Sequence, residues 1–419
     1  MQRKITPLGS VRRQQLDWNN VSQVCLSKKL RVDMIMMDST KLRRYDVDWL
    51  RVLAMSLIFV LHISEFFYYE WWHVKNNELS FELTLVVIFL LQWLMPLFFV
   101  LSGASTFYAL GLRKPRQFIQ ERVKRLIVPL VFGILILIPP QVYLERVYYS
   151  QFIGNFLQFY PKYFEGIYGF GGNFSLFGHH LWYLLFLFLY SMIFLPLFMY
   201  LRNVKGKNFV SGMADFFGGT ITIFFLALPI VLLELILDPA GLGRKEAGGW
   251  NLFAYIIFFI YGYIIFSHQK FQQTIKQCSV IALIIGSITS IIMGFLFVNL
   301  TMNASTSVSS MEYLSLSILR GFNSWFWIIA ILGLGSRYLD FNNRFLKYAN
   351  EAVLPFYILH QTVIVIIGFY VGQWNFVIPV KFIIITTMSF AIILFLYDVV
   401  IKRVNLFRFL FGMRLKKEK

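Results

Sequence analysis

The segment DVDWLRVLAMSLIFVLHISE, residues 46–65, sets Asp48, Arg51, His62 and Glu65 into an otherwise apolar run. An imidazole can carry a proton near neutral pH, and a guanidinium is a permanent cation suited to phosphate. On a helix at about 100° per residue, the eleven positions from Arg51 to His62 return to within about 20° of the start and cover about 16 Å. Asp48 lies one turn before Arg51 and Glu65 one turn past His62, so all four share one face. Taken singly, Asp48 and Arg51 read as an interfacial pair and His62 as a packing histidine. An ionisable group inside a membrane span costs about 2.5–3.5 kcal/mol, so a whole stripe of them must face a bundle interior or a wet cavity.

The rest of the chain has to supply that bundle. Of its 419 residues 58% are hydrophobic and 14% charged, with 46 Phe, too little charge to cover a soluble protein of this length. Apolar stretches of about 20 residues recur and predict ten spans, at 48–69, 83–111, 123–144, 181–201, 219–237, 250–267, 277–299, 312–334, 351–372 and 377–401. The second is long and contains Pro96, with a break or a close helix contact expected at Ser102-Gly103. Thirty-one Lys and Arg fall in the two terminal segments and alternate loops, and 5 in the opposite loops, which places both termini in the cytoplasm. The fold class expected is therefore all-α integral membrane, a bundle of about ten transmembrane helices. Its domains are a disordered basic arm over 1–44, a membrane domain over 45–401 and a basic cytoplasmic tail over 402–419.

The net charge of +18 is spread over loops rather than gathered in one patch, which argues against nucleic acid. Cys25 and Cys278 are too few for a disulfide framework. No Cys/His metal spacing, Walker loop or dinucleotide fingerprint is present. The adjacent His179 and His180 would point about 100° apart on a helix, a poor metal pair. No metal and no tightly bound cofactor is expected. The outer loop 145–180 is rich in aromatics and nearly uncharged, and is expected to lie in the outer interface or to fold back over the bundle.

The Arg-x10-His pattern with Asp three residues before the Arg resembles the signature of the membrane acyltransferase-3 family. MPLFFVLSG (95–103) and RQFIQERVKRLIVPL (116–130) follow in that family's order. GHHLWYL (178–184) and AVLPFYILHQTVIV (352–365) resemble its glucan-modifying branch. The likeness covers 44–401.

What the resemblance implies is transfer of an acyl group from a cytoplasmic acyl-CoA, acetyl-CoA or succinyl-CoA as co-substrate, to a glucan or other glycan at the outer face. The setting is multi-pass, in a bacterial inner membrane. The glucan-modifying branch implies succinyl transfer. His62 matches the family's essential histidine and would act as general base or form an acyl-histidine. Arg51 matches its arginine, as a donor-phosphate ligand oriented by Asp48. Arg122 and Arg125 match an Arg-x2-Arg-Leu pattern before Pro129 and would contact the donor. Beyond the family pattern, Glu65 would orient His62. His180, Trp182, Arg320, Asn323, Trp325 and His360 are candidates for the acceptor or the acyl group, Arg320 for a succinyl carboxylate in particular. An acidic motif usual near the fourth span is absent here. The rival reading is a polytopic exporter of a glycan or lipid-linked sugar without acyl chemistry. A homo-oligomer is left open.

Overall fold

The computed structural model describes residues 43–237, 248–302 and 310–416. The arm expected over 1–44 lies almost wholly outside the described residues. Membrane solvent dictates the rest: backbone groups in hydrocarbon must be satisfied within a helix, and the regular structure of the described residues is all helix, with no strand.

In chain order the helices are α1 (Tyr45–Glu65), α2 (Phe81–Leu91), α3 (Leu94–Leu112), α4 (Pro115–Tyr148), α5 (Phe156–Lys162), α6 (His179–Ile193), α7 (Leu195–Leu201), α8 (Val204–Phe217), α9 (Thr222–Leu237), α10 (Leu252–Ser267), α11 (Gln269–Met302), α12 (Ser310–Tyr338), α13 (Arg344–Val371), α14 (Ile378–Ile401) and α15 (Asn405–Leu410). By length and composition, 7 described helices can cross a membrane, or up to 9 if each of two bent pairs counts as one span. The bent pairs are α6 with α7, at 51°, and α8 with α9, at 116°. Pro196 at the start of α7 removes a backbone donor and accounts for the first bend. Asn203 caps α8, its side-chain oxygen accepting from the Gly206 N–H at 2.9 Å, so the loop expected before the fifth span is itself a helix. The 16-residue α10 is apolar but shorter than the roughly 20 residues that span a hydrocarbon core.

The break in the second expected span falls at Gln92-Trp93, between α2 and α3, and not at Ser102-Gly103. Gly103 is instead a close helix contact. A Cβ there would come within 2.0 Å of the Phe259 carbonyl oxygen, and one on Gly262 within 2.0 Å of that of Val100. Two glycines thus let α3 and α10 pack backbone to backbone. Helix α4 contains two wider π-type turns, Val123–Ile127 and Gly133–Leu137. They precede Pro129 and Pro139, whose missing N–H groups interrupt the regular ladder.

The aromatic loop between α4 and α6 folds back over the bundle. Tyr163 is fully buried and donates to the Ile134 carbonyl at 2.9 Å, and Tyr149 donates to the Trp72 carbonyl at 2.8 Å. At the other end, the segment after α14 turns back on the bundle. Arg408 pairs with Glu351 at 2.9 Å, and Phe411 packs on Phe132 at 5.3 Å between ring centres.

Candidate active site

Helix α1 presents its polar stripe inward. The two local pairs form as the spacing required: Arg51 Nη1 lies 3.3 Å from Asp48 Oδ1, and His62 Nδ1 lies 2.5 Å from Glu65 Oε2. An ionised carboxylate only accepts, so beside it Nδ1 carries a proton, and in the neutral ring Nε2 is then the nitrogen with the lone pair. Glu65 is buried, while the His62 side chain retains 17% of its surface and so is open to approach.

The two ends of the stripe meet different neighbours. Around Arg51, Nη2 donates to Ser105 Oγ at 2.7 Å and Nη1 reaches Asn350 Oδ1 at 3.4 Å. Arg122 donates to Thr106 Oγ1 at 2.8 Å and stacks on Phe118 at 4.8 Å. Its guanidinium is in electrostatic reach of both Arg125 and Arg51. Arg125, 49% exposed, lies 3.7 Å from Glu121, and its field includes Arg51, Arg414 and Arg113. Arg113 is held by Glu121 at 2.7 Å. The donor-binding residues expected from the sequence therefore come together, with Ser105, Thr106 and Asn350 added. The result is a dense cationic mouth, an arrangement suited to a phosphorylated ligand.

Around His62 two more histidines gather. The ring of His360 is 5.1 Å from that of His62, and the ring of His180 is 5.1 Å from His360 and nearly perpendicular to it. Helices α6 and α13 are stitched here through their backbones: Tyr357 donates its hydroxyl to the His180 carbonyl, and His180 Nε2 lies 3.2 Å from the Ile358 carbonyl. Between the cationic mouth and the histidines stands Tyr183. Its hydroxyl shares a 2.5 Å hydrogen bond with Ser102, its charge environment includes Arg51 and Arg122, and its ring is 6.0 Å from Tyr357. A continuous line of polar and aromatic groups thus joins arginine to histidine.

Other expected site residues are placed elsewhere. Trp182 packs among Phe99, Tyr255 and Phe186. Arg320 sits over Trp250 at 4.3 Å and 3.9 Å from Glu234. Asn323 bonds Gln92 and accepts from Thr289 at 2.6 Å. Trp325 is fully buried, donating to the Ile223 carbonyl at 2.9 Å with Tyr261 against its face at 5.3 Å. The contacts given above for these last three run to Gln92, Trp250, α9, α10 and α11, and not to the three histidines.

A second polar group, with no signature in the sequence, lies beside the aromatic loop between α4 and α6. His73 Nδ1 lies 2.6 Å from Glu145 Oε2, which also accepts from the Tyr168 hydroxyl at 2.8 Å. The rings of His73 and His179 stack at 4.8 Å, and His179 bonds Ser175 Oγ at 2.7 Å. The ligand atoms of His73, Glu145 and His179 all lie within 4.8 Å of one another. These residues are far apart along the chain, so their spacing carries no sign of the convergence. Lys381, buried in α14, was missed as well: it donates to Asn76 Oδ1 at 2.8 Å and to the Gly372 carbonyl at 3.0 Å.

Residues 44–398 match the family described as an acyltransferase domain, Acyl_transf_3, and the chain belongs to that family. It is a membrane acyltransferase. The chain is 27% identical over 397 residues to glucans biosynthesis protein C of Escherichia coli (strain SMS-3-5 / SECEC), covering 88% of this chain and 94% of that one. To the proteins of the same name from Salmonella heidelberg (strain SL476) and Salmonella typhi it is 26% identical over 390 residues, with the same coverage. No solved structure matches it.

Proposed function

We propose that this acyltransferase takes an acyl group, succinyl or acetyl, from acyl-CoA at the cationic mouth and delivers it to a hydroxyl of a glucan or other glycan at the opposite face. The protein would lie in a bacterial inner membrane with both termini in the cytoplasm, α10 completing a set of ten spans. The observation that carries the reading is one helix holding Arg51 beside Arg122 and Arg125 and, about 16 Å along the same face, His62 bonded to Glu65 at 2.5 Å. The pantetheine arm of coenzyme A is an extended chain built to bridge such a span while its phosphates remain among guanidinium groups.

In this scheme His62 Nε2 takes the proton of the acceptor hydroxyl as its oxygen attacks the thioester carbonyl carbon. The tetrahedral adduct expels the coenzyme A sulfur, which receives the proton from His62. The ester is formed, the C–S bond is broken, and the imidazole is returned. Glu65 holds the proton on Nδ1 and stabilises the imidazolium while it lasts.

The name of the relatives supports glucan as acceptor, and the branch resemblance supports succinyl as the group moved. The purified protein should be given labelled succinyl-CoA and acetyl-CoA separately, with a glucan acceptor and a His62→Ala control. Label on glucan that disappears in the control supports the reading and names the donor. Binding of neither coenzyme A nor its thioesters, with no labelled product, would favour export of a glycan without chemistry.

A further inference from the structure

Two buried nitrogens beside His62 stand without a hydrogen-bond partner among the described residues, His180 Nδ1 and His360 Nε2. His180 is 6% exposed and His360 fully buried. The other nitrogen of each ring faces a backbone carbonyl, His180 Nε2 at 3.2 Å from Ile358 and His360 Nδ1 at 2.5 Å from Tyr357. A carbonyl only accepts, so those nitrogens carry the ring protons. Adding a second proton to either ring would bury an imidazolium with two further imidazoles beside it, at large desolvation cost. Both rings are thereby fixed in the tautomer that leaves the partnerless nitrogen as a bare lone pair.

Lone pairs of this kind select their ligand by chemistry. A thioester carbonyl and its sulfur have no hydrogen to give and cannot satisfy them, and neither can a developing oxyanion. A polyol can, because each O–H is a donor. The three imidazoles lie within one sugar ring's reach, with centres 5.1 Å apart in sequence from His62 to His360 to His180. His62 keeps the most surface of the three, its side chain 17% exposed, while His180 and His360 are buried, so a ligand would reach them past His62.

We infer that His180 Nδ1 and His360 Nε2 form the acceptor subsite, each accepting a hydrogen bond from a non-reacting hydroxyl of the sugar whose third hydroxyl faces His62. The acceptor is then a ring carrying several free hydroxyls, not a simple alcohol or an amine. This rests on the acyl-transfer reading above and adds the residues that choose the substrate. Both are positioning and specificity residues; the proton of the reaction goes to His62.

The test keeps the stitching between helices and takes the acceptor away from its place on the far side of the ring. In His360→Asn the side-chain amide N–H can still serve the Tyr357 carbonyl, and in His180→Gln the amide can still serve that of Ile358. Purified variants that remain monodisperse and unfold near the wild-type temperature are compared on a glucoside and its monodeoxy analogues. The expected result is a rise of about 10- to 100-fold in KM for the sugar with KM for acyl-CoA unmoved. In the wild type, at least two deoxy positions should lower kcat/KM by about 10-fold or more, and each variant should erase the penalty at one of them. Deoxy penalties that persist in both variants would overturn the inference and leave the nitrogens to ordered water. A raised KM for acyl-CoA with the sugar unaffected would assign them to the pantetheine amides, also overturning it. Absence of transfer by the wild type to any acceptor would bring down the underlying reading, and this one with it.

Discussion

At the scale of single residues, chemistry is set by which lone pairs and charges are left over once local bonds are made. Glu65 bonds the Nδ1 side of the His62 ring and leaves Nε2 for the role of base proposed above. Replacing Glu65 by Gln retains an acceptor for that proton but removes the charge that stabilises the imidazolium. The expected outcome is a fall in kcat of about 10- to 100-fold with KM for acyl-CoA little changed, read in steady-state kinetics. Arg51 is held by Asp48, Ser105 and Asn350, so its fork is pre-organised. Arg51→Ala should raise KM for acyl-CoA by about 10-fold or more, and Arg51→Lys should recover only part, because an ammonium cannot reproduce a bidentate contact. Arg320 has Glu234 and Trp250 against it. Its removal leaves a buried carboxylate behind, so Arg320→Ala is expected to lower stability and to reduce succinyl and acetyl transfer alike; a selective loss of succinyl transfer would instead give it the carboxylate-binding role.

At the scale of elements, the site depends on how closely helices approach. The crossing of α3 and α10 at Gly103 and Gly262 leaves no room for a methyl group, and the obstructing atoms are backbone. Gly103→Ala should therefore cost about 1–3 kcal/mol, seen as a lower unfolding temperature in detergent, and should displace Ser102 from Tyr183. Much of the stripe on α1 was legible in the sequence, because both of its pairs are three residues apart on a single helix. The partners of Arg51 were not: Asn350 lies 299 positions away and Ser105 lies 54 away. The same limit hid the meeting of His62, His180 and His360, which come from α1, α6 and α13. Small residues signal both a break and a close approach; of the two expected at Ser102-Gly103 the structure has the approach, and the break lies at Gln92-Trp93.

At the scale of the whole molecule, composition and the spacing of apolar runs were enough to establish an all-helical membrane bundle, and motif order was enough to indicate the family. What they could not convey was the depth of the packing between the ends. The fold-back of the segment after α14 is an example: Arg408 and Phe411 tie it to Glu351 and Phe132, and Gly412 lies against the Arg125 carbonyl. A chain ending at Ile401 should lose thermal stability and bind coenzyme A more weakly, since the Arg125 end of the cationic mouth loses its backing. The central claim concerns two ends of one bundle meeting at one imidazole, and it is tested most directly in sealed proteoliposomes of known protein orientation. Labelled acyl-CoA is supplied only on the side of the cationic mouth, with glucan trapped on the other. The account predicts label on the trapped glucan in the wild type and none with His62→Ala. Label on the trapped glucan at an undiminished rate in the His62→Ala protein, or transfer only when donor and acceptor share a side, would contradict it.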